Sequence, residues 1–197
     1  MQYVLISGGS GLVGQYLTRQ LYQSGYEVGI LTRGADAKGE LCRYHHWNPA
    51  KGTLDPALVS EADHIVNLAG ANLGAKRWNK RYKQLIYNSR ISSTRLLAQA
   101  INAANNPPKT FISASAVNYY GIQRQGLLDE QAAAGTHFLS KVCVDWEQEA
   151  NQVDNAFTRV VIPRLATVLA PEEGAFPQMK APVEWGAGAP LGSGKQR

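Results

Sequence analysis

The sequence predicts an α/β fold in which a doubly wound parallel sheet lies between two layers of helices. Three observations predict it. Short β-rich runs alternate with helical patterns, the signature of βαβ units. Several of these runs are apolar nearly throughout, as strands covered on both faces must be. The first run also passes through a glycine-rich turn directly into a helical pattern, a strand–turn–helix connection of the kind that opens a crossover.

The strand candidates are Tyr3 to Ser7, Glu27 to Thr32, Arg43 to Trp47, His64 to Ala69, Thr110 to Ser115 and Arg159 to Pro163. Between the first two, Val13, Leu17 and Leu21 fall at i, i+4 and i+8 and form one apolar helix stripe, which Ser24-Gly25 ends. A longer helix is expected from about Trp78 to Ala104, with Leu85, Ile86, Leu96, Leu97 and Ile101 inward and Asn105-Asn106-Pro107-Pro108 as its stop. Another runs from about His137 to Gln152. After Pro163, Pro171, Gly174, Pro177, Pro182, Gly186, Gly188, Pro190, Gly192 and Gly194 crowd the chain, and no further βα unit is expected there.

The composition, 44% hydrophobic and 18% charged over 197 residues, suits one globular domain. No apolar run is long enough to span a bilayer, and the first residues lack the basic and apolar regions of a signal peptide, so the expected compartment is the cytoplasm. Cys42 and Cys143 stand far apart and outside any C-x-x-C pair, so both are read as free thiols and no metal site is expected. The net charge of +5 raises the question of a nucleic-acid partner. Its basic residues are scattered except around Lys76-Arg77 and Lys80-Arg81-Tyr82-Lys83, and stacking aromatics are missing, so nucleic acid is disfavoured.

Ser7-Gly8-Gly9-Ser10-Gly11-Leu12-Val13-Gly14 follows a strand and opens a helix, the setting that a dinucleotide-phosphate loop needs. Gly8 and Gly11 allow a tight turn and close backbone approach to a pyrophosphate, and Gly14 allows close helix–sheet packing. Leu12 and Val13 then begin the helix whose N-terminus faces the phosphates. A purely structural βα turn is the alternative. At the end of the second strand an acidic residue would bind the ribose of NAD, but the chain reads Leu31-Thr32-Arg33-Gly34. The Arg33 guanidinium suits a 2′-phosphate and Thr32 adds a hydroxyl, which favours NADP over NAD; a solvated strand-end arginine is the other reading. Leu68, Ala69 and Gly70 end the fourth strand with small or apolar residues, where ribose and pyrophosphate can lie against the backbone. Packing explains Ala69 and Gly70 as well.

Together these residues resemble the extended short-chain dehydrogenase/reductase superfamily, whose loop spacing is G-x-x-G-x-x-G. A narrower likeness is carried by Asn67-Leu68-Ala69-Gly70, Lys76-Arg77-Trp78, Ser89-Arg90-Ile91 with Thr94, and Ser113-Ala114-Ser115-Ala116-Val117 with Tyr119-Tyr120-Gly121. It continues through Phe138-Leu139, Cys143, Trp146-Glu147, Arg164, Val168-Leu169 and Gly192-Ser193-Gly194-Lys195-Gln196. These are similar to epimerase-family proteins described as nucleoside-diphosphate-sugar epimerases. The resemblance implies a three-layer Rossmann-type NAD(P)-binding fold over residues 1–170, with 171–197 as the start of a truncated C-terminal substrate-binding region. Chains of that family continue further, into a Trp-Ile-His motif and a small domain.

Such proteins usually work through a Tyr-x-x-x-Lys pair on one helix face, yet none of the nine tyrosines has a lysine four residues on. His137 stands in the tyrosine place and Lys141 keeps the lysine place. Histidine titrates near neutral pH, so His137 and Lys141 with Ser115 form a substitute constellation, unless His137 is a plain surface residue. Ser115 is read as the substrate-orienting serine at the end of the fifth strand, with Ser113 as the competing register; Tyr119 and Tyr120 follow in a loop expected to border the nicotinamide, with a plain core-capping role as the alternative for either. Lys76, Arg77 and Arg90 offer a positive rim to an anionic small-molecule substrate; a solvated loop and helix face is the equal alternative. The expected activity is that of an oxidoreductase or epimerase, an isomerase, on a nucleotide-sugar-like or other carbonyl or hydroxyl substrate. A non-catalytic NADP-binding sensor or scaffold is the rival, and exposed apolar surface leaves room for a homodimer.

Overall fold

The computed structural model describes residues 1–121, 126–171 and 173–188; the Gly192-Ser193-Gly194-Lys195-Gln196 run and Pro190 lie outside them. In chain order the elements are β1 (Tyr3–Ser7), α1 (Leu12–Gln23), β2 (Glu27–Thr32), β3 (Ala37–Lys38), β4 (Arg43–His46), α2 (Pro56–Glu61), β5 (His64–Asn67) and α3 (Lys80–Ala103). Then follow β6 (Thr110–Ser113), β7 (Ser115–Ala116), α4 (Phe138–Ala150), β8 (Arg159–Val161), β9 (Arg164–Leu165) and α5 (Ala175–Glu184).

The main sheet runs β3-β4-β2-β1-β5-β6-β8. All its pairings are parallel except the short β3–β4 edge. Without that edge the strands lie in the order third, second, first, fourth, fifth, sixth, the doubly wound Rossmann arrangement, whose strand order switches direction between β1 and β5. The side-chain alternation of β1 divides the core. Tyr3 and Leu5 join Ile65, Phe111, Leu97 and Ile101 beneath α2 and α3. Val4 and Ile6 join Val28, Ile30 and Val66, against which Leu17 and Leu21 of α1 pack. Opposite faces are filled because successive residues of a strand point to opposite sides.

Helix ends follow their caps. Asn79 accepts from the Tyr82 amide at 2.8 Å and starts α3 at Lys80 rather than Trp78, while Asp55 accepts from the Ala57 amide at 3.0 Å and starts the unforeseen α2. Leu85, expected inside, is 51% exposed; Ile86, Leu97 and Ile101 turn inward as expected, and Tyr82 joins them. The expected fifth strand is interrupted. It stops at Ser113, and Ser115 begins β7, which leaves the main sheet to pair with β9. The tail also departs from expectation, since β9 and the ten-residue α5 form after Pro163.

The chain falls into two compact units, Met1–Leu165 and a second from Ala166 onward. The second holds α5, which carries Pro182 internally and a Lys180–Glu184 ion pair of 2.8 Å. Among the described residues no helix is long and apolar enough to cross a membrane.

Candidate cofactor and active site

At the carboxyl edge of the sheet the glycine loop joins β1 to α1. Gly8 has φ +73°, and a Cβ there would fall 2.6 Å from the carbonyl carbon and oxygen of Leu68. At Gly14 it would fall 2.5 Å from the Gly8 oxygen. These two glycines are therefore required by the fold itself, which presses the loop onto the Leu68-Ala69 backbone and α1 onto the loop. Gly11 differs, because a Cβ there meets only the Gly8 oxygen, at 3.4 Å. It is exposed and opens α1 with no side-chain cap and no acidic residue in the first turn, in which Leu12 and Val13 are half-buried. Uncapped amides at a helix start favour an anion.

Thr32 and Arg33 stand at the same edge, at the end of β2. The Thr32 hydroxyl accepts from the Gly34 amide at 3.1 Å, while the Arg33 side chain is exposed. Asp36, three residues on, accepts from the His46 amide, and His46 Nδ1 contacts the Gly34 oxygen at 2.8 Å. These bonds tie the turn to β4. Leu68 and Ala69 are half-buried and Gly70 exposed. All ten residues expected to meet the cofactor thus gather along the ends of β1, β2 and β5.

Beneath this edge lies a buried polar hub that the sequence reading passed over. Asn67, fully buried, accepts from the Ser7 hydroxyl at 2.6 Å. Its amide donates to Thr94 at 2.7 Å and Ser113 at 3.1 Å. The Trp146 indole also donates to Thr94, at 2.8 Å. One side chain so joins three strands to α3 and, through Thr94, to α4. An asparagine within the apolar His64–Asn67 run was the available signal, since a buried amide needs partners.

The expected catalytic residues separate into two pairs. Ser115 is 2% exposed and donates its hydroxyl to Glu147 Oε1 at 2.5 Å. Arg164 grips the same carboxylate through Nε at 2.9 Å and Nη2 at 2.8 Å. Its Nη1 donates to the Tyr120 hydroxyl at 2.9 Å and the Glu130 carbonyl at 3.1 Å, and its guanidinium lies 3.5 Å from the Tyr119 ring centroid. The Glu147 contact raises the Arg164 pKa further. Ser115 and Tyr120 are therefore brought onto one network, through Glu147 and Arg164, which had been noted only as points of likeness. Beside them the Cys143 thiol is pushed up by burial.

His137 and Lys141 form the second pair. His137 is the N-cap residue of α4, exposed, with Cδ2 3.7 Å from where a Gly121 Cβ would stand. Lys141, one turn on, is exposed too. Among the described residues no hydrogen bond ties either side chain to Ser115. Arg90 also departs from its expected place on a positive rim. Its guanidinium donates to the Ala71 and Ile86 carbonyls and covers Trp146 at 5.3 Å, so it fastens the segment after β5 to α3. Lys76 and Arg77 remain exposed.

A glycine turn leading into an uncapped helix, beside the reversal point of a parallel sheet, defines a protein of the nucleotide-binding Rossmann class. The chain belongs to the NAD-dependent epimerase/dehydratase family, whose family model matches residues 4–196. An epimerase family protein of Mycobacterium bovis is 40% identical over 193 residues, 98% of this chain and 62% of that protein. A crystal structure of a human epimerase family protein with NADPH is similar at TM-score 0.83 and 33% identity, over 98% of this chain and 63% of that one. A nucleoside-diphosphate sugar epimerase from Corynebacterium glutamicum gives a TM-score of 0.81 at 33% identity, covering 98% and 39%. The chain spans less than two thirds of the curated relatives it matches.

Proposed function

We propose that the chain carries the NADP(H)-binding part of a cytoplasmic oxidoreductase or epimerase acting on a nucleotide-sugar-like or other carbonyl or hydroxyl compound. Residues 1–170 serve as its nucleotide-binding domain, and 171–197 begin the substrate-binding region. The observation that carries this reading is Gly11. Its neighbours Gly8 and Gly14 are demanded by packing, whereas Gly11 borders open space at an uncapped helix start, where a side chain would obstruct a ligand more than the fold.

The cradle fits a dinucleotide. Gly8, Gly11, Leu12, Val13 and Gly14 hold the pyrophosphate at the helix start, Thr32 and Arg33 hold the adenosine ribose and its 2′-phosphate, and Leu68, Ala69 and Gly70 form the floor. When bound, the nicotinamide accepts or donates hydride. Arg33 selects the phosphorylated cofactor as an exposed cation, while Asp36 is engaged by the His46 amide. The human relative described with NADPH supports this preference. Ser115 and Tyr120, steadied by Glu147 and Arg164, form the wall beyond the nicotinamide. His137, beside Lys141, exchanges the substrate proton.

Calorimetric titration with NADPH, NADP, NADH and NAD tests the reading. Binding of the phosphorylated pair alone is expected, and Arg33→Ala should weaken NADPH by about 10- to 100-fold, the worth of a charge-assisted contact. Unchanged NADPH affinity in that variant would remove Arg33 as the selector. Failure of all four nucleotides to bind would remove the reading as a whole.

One observation favours the rival, a non-catalytic NADP sensor or scaffold. The Ser115 hydroxyl is buried and committed to Glu147, so it offers no proton outward. Turnover of any member of a carbonyl and nucleotide-sugar panel would exclude this alternative. Light scattering would show whether the chain forms a homodimer.

A further inference from the structure

A recess between the first turns of α3 and α4 combines aromatic walls with unneutralised cations. Trp78 and Phe138 meet edge to face, their ring centroids 5.9 Å apart at 74°. The Trp78 indole is anchored by donation to the Leu73 carbonyl at 2.8 Å and remains 38% exposed. Lys83 Nζ stands 5.4 Å from the Phe138 centroid. Lys80, Gln84 and Tyr87 continue the same helix face, since residues three and four apart on a helix are neighbours. The recess has a volume of about 530 Å³, within the range of small-molecule sites.

Charge points the same way. Between Asp63 and Asp129 the chain has no acidic residue, yet Lys76, Arg77, Lys80, Arg81 and Lys83 lie within this stretch. Among the described residues neither Lys80 nor Lys83 has a carboxylate within ion-pair distance. The acid at the far end, Asp145, accepts from the Tyr87 hydroxyl at 2.9 Å, which sets a phenol between it and the recess. Asn79 already caps α3, so attraction for an anion comes from the two ammonium groups rather than the helix start. None of the lining residues belongs to the glycine-loop edge.

We propose that this recess is a binding site for a flat aromatic anion, a ring bearing a phosphate or carboxylate. The ring lies against Trp78 and Phe138, and its charge meets Lys80 and Lys83. The wall supplies dispersion and hydrophobic contact, and the ammonium groups supply the preference for an anion.

The probe is phenyl phosphate, titrated into the full chain by calorimetry with and without saturating NADPH. Saturable binding is expected in both conditions, with inorganic phosphate and phenol each at least about tenfold weaker. Lys83→Gln and Trp78→Ala should each weaken phenyl phosphate by about tenfold at an unchanged melting temperature, and Trp78→Phe should retain most of the affinity. No saturable binding, or equal binding by the folded variants, would overturn the proposal. So would binding that NADPH abolishes, which would assign the probe to the glycine-loop edge, or a dimer that takes up none, which would assign the recess to a second copy. Should NADPH itself fail to bind, the titration without it still decides the matter.

Discussion

At the Gly8–Gly14 loop the decisive contacts are between backbone atoms, whereas around Ser115 they are between buried polar and charged side chains. The loop lies between β1 and β2, which are joined by one short helix, and its tolerance for side chains differs from one glycine to the next. The Ser115 corner draws Tyr120, Glu147 and Arg164 from separate segments and holds them by an ion pair with side chains only 16% and 11% exposed. Shape protects the first region, and mutual neutralisation protects the second. A residue lost from the loop leaves a steric fault, while one lost from the corner leaves a charge without its partner.

The sharpest way to break this comparison is Arg164→Met. It leaves Glu147 without its cation at low exposure and is expected to cost about 3–5 kcal/mol of folding stability in urea denaturation. A loss below about 1 kcal/mol would show the pair to be as well screened as a surface salt bridge.

Tyr3 offers a second test, because it is a buried ionisable group at the start of β1, the strand that leads into the loop. Its phenol is 7% exposed, lies 3.2 Å from His45 Nε2 and is pushed up to about 12 from 10.0, chiefly by burial. Since the folded value is the higher one, the contribution is complete below pH 10 and is lost as pH rises towards 12. The expected loss is about 2–3 kcal/mol. Tyr3→Phe should flatten that part of the alkaline stability profile; an unchanged slope would assign it to other groups.

The smallest effects sharpen the contrast within the loop. Gly14→Ala forces a Cβ to 2.5 Å from the Gly8 oxygen and should cost about 1–3 kcal/mol. Gly11→Ala should change stability by less than about 0.5 kcal/mol while lowering NADPH affinity. Equal losses of stability in the two variants would remove the distinction drawn between them.

The doubly wound parallel sheet, the crossover from β1 through α1 to β2 and the gathering of the cofactor residues were legible in the chain. Each depends on contiguous signals: apolar runs, one helix stripe, and glycines at fixed spacing. Leu85 and Arg90 were misread because a helix stripe wide enough for either face does not say which neighbour will cover it; packing against α4 and the segment after β5 made that choice. The end of the fifth strand was misplaced at Ser115 because the chain bends out of the sheet after Ser113 to pair with β9, more than forty residues away.

What the linear pattern settled, then, were features whose physical cause lies within a turn or a strand, although the local Asp55 cap that starts α2 went unread. The partners of Asn67, the Glu147–Arg164 pair and the aromatic recess of Trp78 and Phe138 were decided only in three dimensions. Each joins residues distant in sequence, and the burial that makes their hydrogen bonds and charges matter exists only once the helices have closed over the sheet.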